Sequence, residues 1–293
     1  MPELPEVETV RRGLEPWLAG ARIEAVRLNR PDLRFPLPQD FAKRLEGTTI
    51  ERVGRRAKYL LFGLSSGWTW LSHLGMTGSY RFVNRTFKEP SRYFEPRVDQ
   101  KHDHVVLELL HPVEGPLSLI YADARRFGFM DLFRNEADSP YLRGLGPEPL
   151  SNAFNAAEMA ERFAGKRAPM KAALLDQRVV AGLGNIYVSE ALHRAHILPT
   201  REAWTLVLKS GAPSKRLDDL ADGVRAVLTE AIEAGGSTLR DFRAADGQSG
   251  YFQHHFAVYD REGGPCPTPG CRGIIKRIVQ SGRSTYYCPV CQK

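Results

Sequence analysis

The sequence predicts an α+β protein of several domains: an antiparallel β-sandwich led by one helix, then a helical domain, then a small module closed by cysteines. Three observations carry this. Short runs rich in branched and aromatic residues, separated by Gly, Pro and Asn, recur between about Ile23 and Phe133, with no repeating βα unit. Beyond a glycine- and proline-rich break, the apolar residues take up helical spacing. All four cysteines of the chain fall in its last 28 residues.

Taken in order, Val7, Val10, Leu14, Trp17 and Leu18 lie at helical spacing, Pro5 suits a first turn and Gly20 can cap the end, so the chain opens with a helix. The β-type runs that follow include residues 50–53, 59–64, 68–74, 104–109 and 117–121. The stretch 84–101 mixes charges, aromatics and two prolines and reads as a surface insertion. Gly144, Gly146, Pro147 and Pro149 mark a linker over 142–150. Helices are expected over 155–163, then over 170–175 and 185–194 on either side of a glycine turn. The clearest amphipathic stripe runs from Leu217 through Leu220, Val224, Val227, Leu228 and Ala231 to Ile232, and Gly235-Gly236 stops it. The polar segment 237–250 reads as a long loop. The expected domains are therefore 1–141 (β-sandwich), 142–150 (linker), 151–236 (helical domain), 237–265 (loop and connector) and 266–293 (cysteine module).

With 293 residues and 42% hydrophobic content the chain can bury ordinary globular cores, and no apolar run approaches the ~18 residues of a membrane span. A soluble, cytosolic protein is expected. The formal charge of +7 favours a phosphate-rich partner, although an excess of Lys and Arg is usually only a solvated surface. The cysteines are more specific. Cys266 and Cys271, then Cys288 and Cys291, form two short-spaced pairs on a long connector, the arrangement that offers four thiolates to a tetrahedral zinc ion. Two disulfides are the alternative, but the N-terminal segment is charged and lacks the apolar core of a secretory signal. The connector carries Lys276, Arg277 and Arg283 and no acidic residue, so the module presents a cationic hairpin.

At the other end Met1 precedes Pro2, and a small second residue permits removal of the initiator methionine. Pro2 would then be a free secondary amine, titrating near ~8 and able to attack an electrophilic carbon, with Glu3 beside it for proton transfer. Capping and the helix dipole alone would also favour Pro and Glu here. Gly182-Leu183-Gly184 invites a dinucleotide reading, but no strand precedes it and Tyr187 occupies the third glycine position. His102-Asp103-His104 and His254-His255 suggest metal pairs only weakly.

The motifs Pro2-Glu3-Leu4-Pro5-Glu6-Val7-Glu8, Lys58 within 54–60, His73-Leu74-Gly75-Met76-Thr77-Gly78, Asp123-Ala124-Arg125-Arg126-Phe127-Gly128 and Gly182-Leu183-Gly184-Asn185-Ile186-Tyr187, followed by the four cysteines, come in one order along essentially the whole chain. In this the sequence resembles the bacterial formamidopyrimidine-DNA glycosylases, which remove oxidised purines from DNA. Ala124 departs from the proline usual before the paired arginines.

The resemblance implies a helix-two-turn-helix for the helical domain, a four-cysteine zinc finger with one structural zinc, no organic cofactor, and action as a monomer on double-stranded DNA containing oxidised bases. It implies catalytic roles for Pro2 (nucleophile at C1′), Glu3 (proton transfer), Lys58 and Arg283 (both at phosphates near the reacting nucleotide). His73 and Asn185 would touch the DNA backbone. Met76, Arg125 and Phe127 would fill the void left by a flipped base, since an enzyme working on a base in a duplex must take it out of the stack. The loop over 237–251 would cover that base. Three alternatives remain open on sequence: a sister enzyme for oxidised pyrimidines, a damaged-DNA-binding protein without catalysis, and a zinc-ribbon adaptor.

Overall fold

A computed structural model describes residues 1–84, 100–237 and 250–293. The expected insertion at 84–101 and covering loop at 237–251 therefore lie almost wholly outside the described residues. The chain divides into two compact units, one of Met1–Arg143 with Ala234–Tyr251, the other of Gly144–Glu233 with Phe252–Lys293.

The first unit begins with α1 (Leu4–Leu18), whose Val7, Val10, Leu14 and Leu18 are buried on one face. Then come β1 (Arg22–Leu28), a short α2 (Phe41–Leu45), β2 (Ile50–Arg56), β3 (Tyr59–Leu64), β4 (Thr69–His73), β5 (Ser79–Asn84), β6 (Asp103–His111), β7 (Gly115–Ala122) and β8 (Phe129–Phe133). They build two four-stranded antiparallel sheets, ordered β1-β6-β7-β5 and β2-β3-β4-β8. One hydrophobic core joins them: Leu60, Phe62 and Trp70 from one sheet and Val105, Leu107 and Tyr121 from the other belong to the same buried cluster as the inner face of α1. This is the expected sandwich. The five runs named from the sequence do not include β1, β5, β8 or the short α2: a bulge at Ile23/Ala25 breaks the alternation of β1, and α2 spans only five residues.

The second unit holds α3 (Ala156–Phe163), α4 (Met170–Leu175), α5 (Asn185–Arg194) and α6 (Lys215–Glu233). Asn155 caps α3 by accepting from the Glu158 N–H at 3.0 Å. The turn between α4 and α5 is wired by Gln177, which accepts from Gly182 N at 2.9 Å and donates to Leu183 O at 2.9 Å. Past α6, the positive φ of Gly235 and Gly236 (73° and 81°) ends the helix as glycine permits. The unit closes on the hairpin β9 (Lys276–Gln280) and β10 (Arg283–Tyr287). No helix among the described residues is long and apolar enough to cross a membrane.

Candidate active site and metal centre

Strand register puts five of the expected site residues at one end of the sheet β2-β3-β4-β8. Tyr59, His73 and Phe129 pair in a row across β3, β4 and β8. Lys58 immediately precedes Tyr59, Met76 follows His73 by three positions, and Arg125 and Phe127 precede Phe129. Lys58 occupies a two-residue turn with Ala57, whose φ is 52°, and is only 7% exposed, so it is not a solubilising edge charge. The His73 ring stacks on Phe129 at 5.0 Å between centroids. Its Nδ1 accepts from the Gly75 N–H at 3.1 Å, which leaves the ring proton on Nε2. Burial, then the cations of Lys58, Arg34 and the N-terminal amine, push the His73 pKa down to about 4. His73 is thus a neutral donor at physiological pH, and the chain's N-terminus, Lys58 and His73 share one electropositive neighbourhood.

Pro2 and Glu3 are buried at the start of α1, Glu3 to 4% exposure. Glu6 reaches back to accept from the Glu3 N–H at 2.8 Å, one half of a capping box. Its other oxygen accepts from Ser237, from N–H at 2.7 Å and from the hydroxyl at 3.0 Å. Two residues on, Glu8 is held by the guanidiniums of Arg11, Arg12 and Arg55. Arg55 also donates to Ala57 O at 2.8 Å, which fastens the Lys58 turn to α1. Burial works to raise the Glu8 pKa, and the three arginines outweigh it, so the net shift is downward.

Met76, Arg125 and Phe127 stand exposed on neighbouring loops, with the Arg125 guanidinium 4.8 Å from the centre of the Phe127 ring. Arg125, Arg126 and Phe127 line a shallow depression with Leu33 and Arg34. His104, one of the weak metal candidates, is buried with Nε2 2.8 Å from Asp123 O, a structural contact.

The remaining expected residues lie in the second unit. Ser281 (φ 50°) and Gly282 (φ 73°) form the two-residue turn of the β9-β10 hairpin, the left-handed pair that matches strand twist, and Arg283 stands exposed beside it. The hairpin is braced from behind by two side chains. Asn185, first residue of α5, donates to Ser284 O at 3.0 Å, and the fully buried Lys171 donates to Ser284 O at 2.7 Å and to the Thr285 hydroxyl at 2.6 Å. The bracing lysine carried no sequence signal. Nor did Glu190, a buried carboxylate of α5 that accepts from the N–H groups of Ala257, Val258 and Tyr259 at 2.8 to 3.0 Å and so orders the connector to the cysteine module.

The Sγ atoms of Cys266, Cys271, Cys288 and Cys291 all lie within 4.8 Å of one another. The distances Cys266–Cys291 and Cys271–Cys288 are 3.7 and 3.6 Å, close to the ~3.8 Å edge of a tetrahedron with zinc–sulfur bonds of ~2.3 Å. Four thiolates fit one structural zinc and leave no coordination position for substrate, which resolves the choice between metal and disulfides. His193 of α5 approaches Cys266 Sγ at 3.4 Å, tying the helix to the ligand set.

Known families account for nearly the whole chain. The formamidopyrimidine-DNA glycosylase N-terminal domain matches residues 1–130, the formamidopyrimidine-DNA glycosylase H2TH domain residues 145–243, and the zinc finger found in FPG and IleRS residues 263–293. The chain is 58% identical to the formamidopyrimidine-DNA glycosylase of Rhodopseudomonas palustris (strain HaA2) and 55% identical to that of Rhizobium meliloti (strain 1021), each over 100% of both chains. Among solved structures, it is similar to a Lactococcus lactis FPG mutant in complex with Fapy-dG-containing DNA (34% identity, TM-score 0.83, 100% of each chain). It is also similar to the MutM (Fpg) protein of Thermus thermophilus (40% identity, TM-score 0.79, 99% of this chain and 98% of that one). With domain matches in this order and full-length relatives well above half identical, the chain belongs to the formamidopyrimidine-DNA glycosylase family.

Proposed function

We propose that the chain excises oxidised purines, 8-oxoguanine and formamidopyrimidines, from double-stranded DNA and then cuts the strand at the resulting site, as a glycosylase and lyase of base excision repair. The reading includes action as a monomer in the bacterial cytoplasm. The observation that carries the chemistry is the position of Pro2: buried at the head of α1, next to the buried Glu3, one residue after the Met1 amine that with Lys58 depresses the His73 pKa.

With Met1 removed, the Pro2 nitrogen is a secondary amine, whose ordinary range of about 8 leaves a usable unprotonated fraction at neutral pH. It attacks C1′, the C1′–N bond breaks with its electron pair going to the departing base, and the base takes a proton. Opening of the sugar at O4′ converts the C1′ adduct to an iminium while O4′ is protonated. The iminium then acts as electron sink: loss of a C2′ proton expels the 3′ phosphate, and a second elimination expels the 5′ phosphate. Glu3 is the group placed to relay these protons.

Lys58 offers its ammonium to the phosphate beside the reacting nucleotide, and His73 offers the neutral Nε2–H to another. Arg283, held out on the braced hairpin, supplies a guanidinium for the flanking phosphates. Asn185, whose amide braces Ser284, stands at the head of α5, where backbone N–H groups favour phosphate. Met76, Arg125 and Phe127 enter the stack in place of the extruded base, Phe127 as wedge and Arg125 as hydrogen-bond donor to the widowed partner.

Borohydride reduction of the enzyme on an 8-oxoguanine duplex tests the reading. A covalent protein–DNA adduct joined through Pro2 is expected, and protein shown by mass spectrometry to retain Met1 should form none. Full trapping with Met1 in place rules out Pro2 as nucleophile. A strong preference for thymine glycol over 8-oxoguanine in matched duplexes would transfer the activity to oxidised pyrimidines.

A further inference from the structure

We infer that Asp123 is a positioning residue for base extrusion: its buried carboxylate fastens the loop carrying Met76 to the loop carrying Arg125 and Phe127, so that the three void-filling side chains enter the duplex as one body. The inference rests on the reading that these three residues fill the void.

Asp123 is fully buried, yet every hydrogen bond of its side chain goes to one of the two loops or to the strand between them. Oδ1 accepts from the Thr77 hydroxyl at 2.5 Å, one residue beyond Met76. Oδ2 accepts from the Gly128 N–H at 2.8 Å, one residue beyond Phe127, and lies 3.4 Å from the Tyr121 hydroxyl. The Thr77 oxygen in turn accepts from the Arg125 N–H at 3.0 Å, so a single hydroxyl touches both loops. The Asp123 backbone is pinned as well, with N–H to His102 O at 3.0 Å and its carbonyl 2.8 Å from His104 Nε2.

The loops also meet backbone to backbone. A Cβ on Gly75 would fall 2.3 Å from Gly128 N and from the Phe127 carbonyl carbon, and one on Gly128 would fall 1.9 Å from the Tyr121 hydroxyl. Gly75 (φ 64°) and Arg126 (φ 55°) are both in the left-handed region, which for arginine is a costly conformation that surrounding contacts must maintain. A carboxylate is the one side chain that accepts from both loops at once without donating to either. Around it the exposed tips differ in kind: an adaptable thioether, a guanidinium and an aromatic wedge. Two loops free to move separately would incur the ordering cost of each on insertion; joined, they incur it at folding.

The test compares Thr77→Val, Thr77→Ser and Asp123→Asn, the threonine variants being partly exposed and near-isosteric so that they keep the fold if Asp123→Asn does not. Single-turnover excision is measured on an 8-oxoguanine:C duplex carrying 2-aminopurine beside the lesion, and lyase cleavage on a duplex with a preformed abasic site, which has no base to extrude. Thr77→Val removes both bonds of the hydroxyl and should slow excision at least about tenfold, the lower end for one hydrogen bond to a charged group. It should also reduce the 2-aminopurine rise that reports unstacking, and leave abasic-site cleavage unchanged, and Thr77→Ser should restore both lost signals. Wild-type excision by Thr77→Val, or equal slowing of excision and abasic cleavage, overturns the inference. Met76→Ala and Phe127→Ala serve as the separate arm: if they leave rate and fluorescence intact, the void-filling reading itself fails, whatever Thr77 does.

Discussion

Replacing Glu6 by Gln keeps the volume of a side chain that is 2% exposed and removes one acceptor oxygen from a site that uses both. Oε2 serves the Glu3 N–H, and Oε1 serves the Ser237 N–H and hydroxyl. An amide has one oxygen, so whichever way it turns, an NH₂ group faces a backbone N–H. The loss is a hydrogen bond to a charged group, about 1.5–3 kcal/mol, and the stranded donor costs about 1–3 kcal/mol more. A total near ~3 kcal/mol corresponds to roughly a 100-fold rise in local opening. Relaxation is limited, because the Gly236 position already places a notional Cβ 3.1 Å from the Glu6 side chain. Hydrogen exchange read by mass spectrometry should show lost protection at Glu3 and Ser237, with borohydride trapping slowed in parallel because Glu3 adjoins Pro2. Ser237→Ala, which removes only the 3.0 Å hydroxyl bond, should cost about 1 kcal/mol. Unchanged protection at both amides in Glu6→Gln, or loss confined to regions remote from them, would refute the assignment of Glu6 as the joint between α1 and Ser237.

Three further outcomes are expected. Arg283→Ala should weaken DNA binding with the fold retained and lower the salt slope of log K by about 1, and identical affinity across a salt series would remove its phosphate role. His73, depressed from 6.5 to about 4, binds a proton more readily unfolded than folded, so its contribution to stability is complete above pH 6.5 and is lost as pH falls toward 4; an NMR titration midpoint near 6.5 in the folded protein would contradict this. Stripping zinc should release one ion per chain by mass spectrometry and abolish DNA affinity while the β-sandwich keeps its circular dichroism; full affinity in metal-free protein would count against the cysteine module as the support of Arg283.

Much of this was legible in the sequence because the signals were local. A helix of 15 residues with buried apolar positions at helical spacing, strands of branched and aromatic residues, and cysteines at ligand spacing all announce themselves within a short window. What stayed hidden is long-range. The bond from Glu6 to Ser237 spans 231 positions and those from Lys171 to Ser284 and Thr285 span 113 and 114, and neither a buried carboxylate nor a buried lysine differs in sequence from a surface one. The residues alone offered Pro2 as a possible nucleophile against an ordinary helix-start proline, and the resemblance made that role specific.

The acidic run at the head of α1 shows how far local reading can be incomplete without being wrong. Glu3, Glu6 and Glu8 would each complement the helix dipole, and that account explains their presence. It does not explain their division. Glu3 is buried beside Pro2, Glu6 faces inward and bonds both the N–H of the cap residue Glu3 and Ser237, and Glu8, two residues on and rotated to another face, gathers three guanidiniums. The three guanidiniums compensate Glu8, and its pKa falls accordingly. Arg55 turns that ion pair into a strut by also holding Ala57 O, so the Lys58 turn is referred to the helix that carries Pro2. Glu8 and Arg55 therefore tie the turn that carries Lys58 to the helix that follows Pro2, the proposed nucleophile, and neither needs to touch DNA. Arg55→Leu should lower trapping more than binding, because it loosens that tie while leaving every proposed phosphate contact in place; equal losses in both would show that the strut only stabilises the fold.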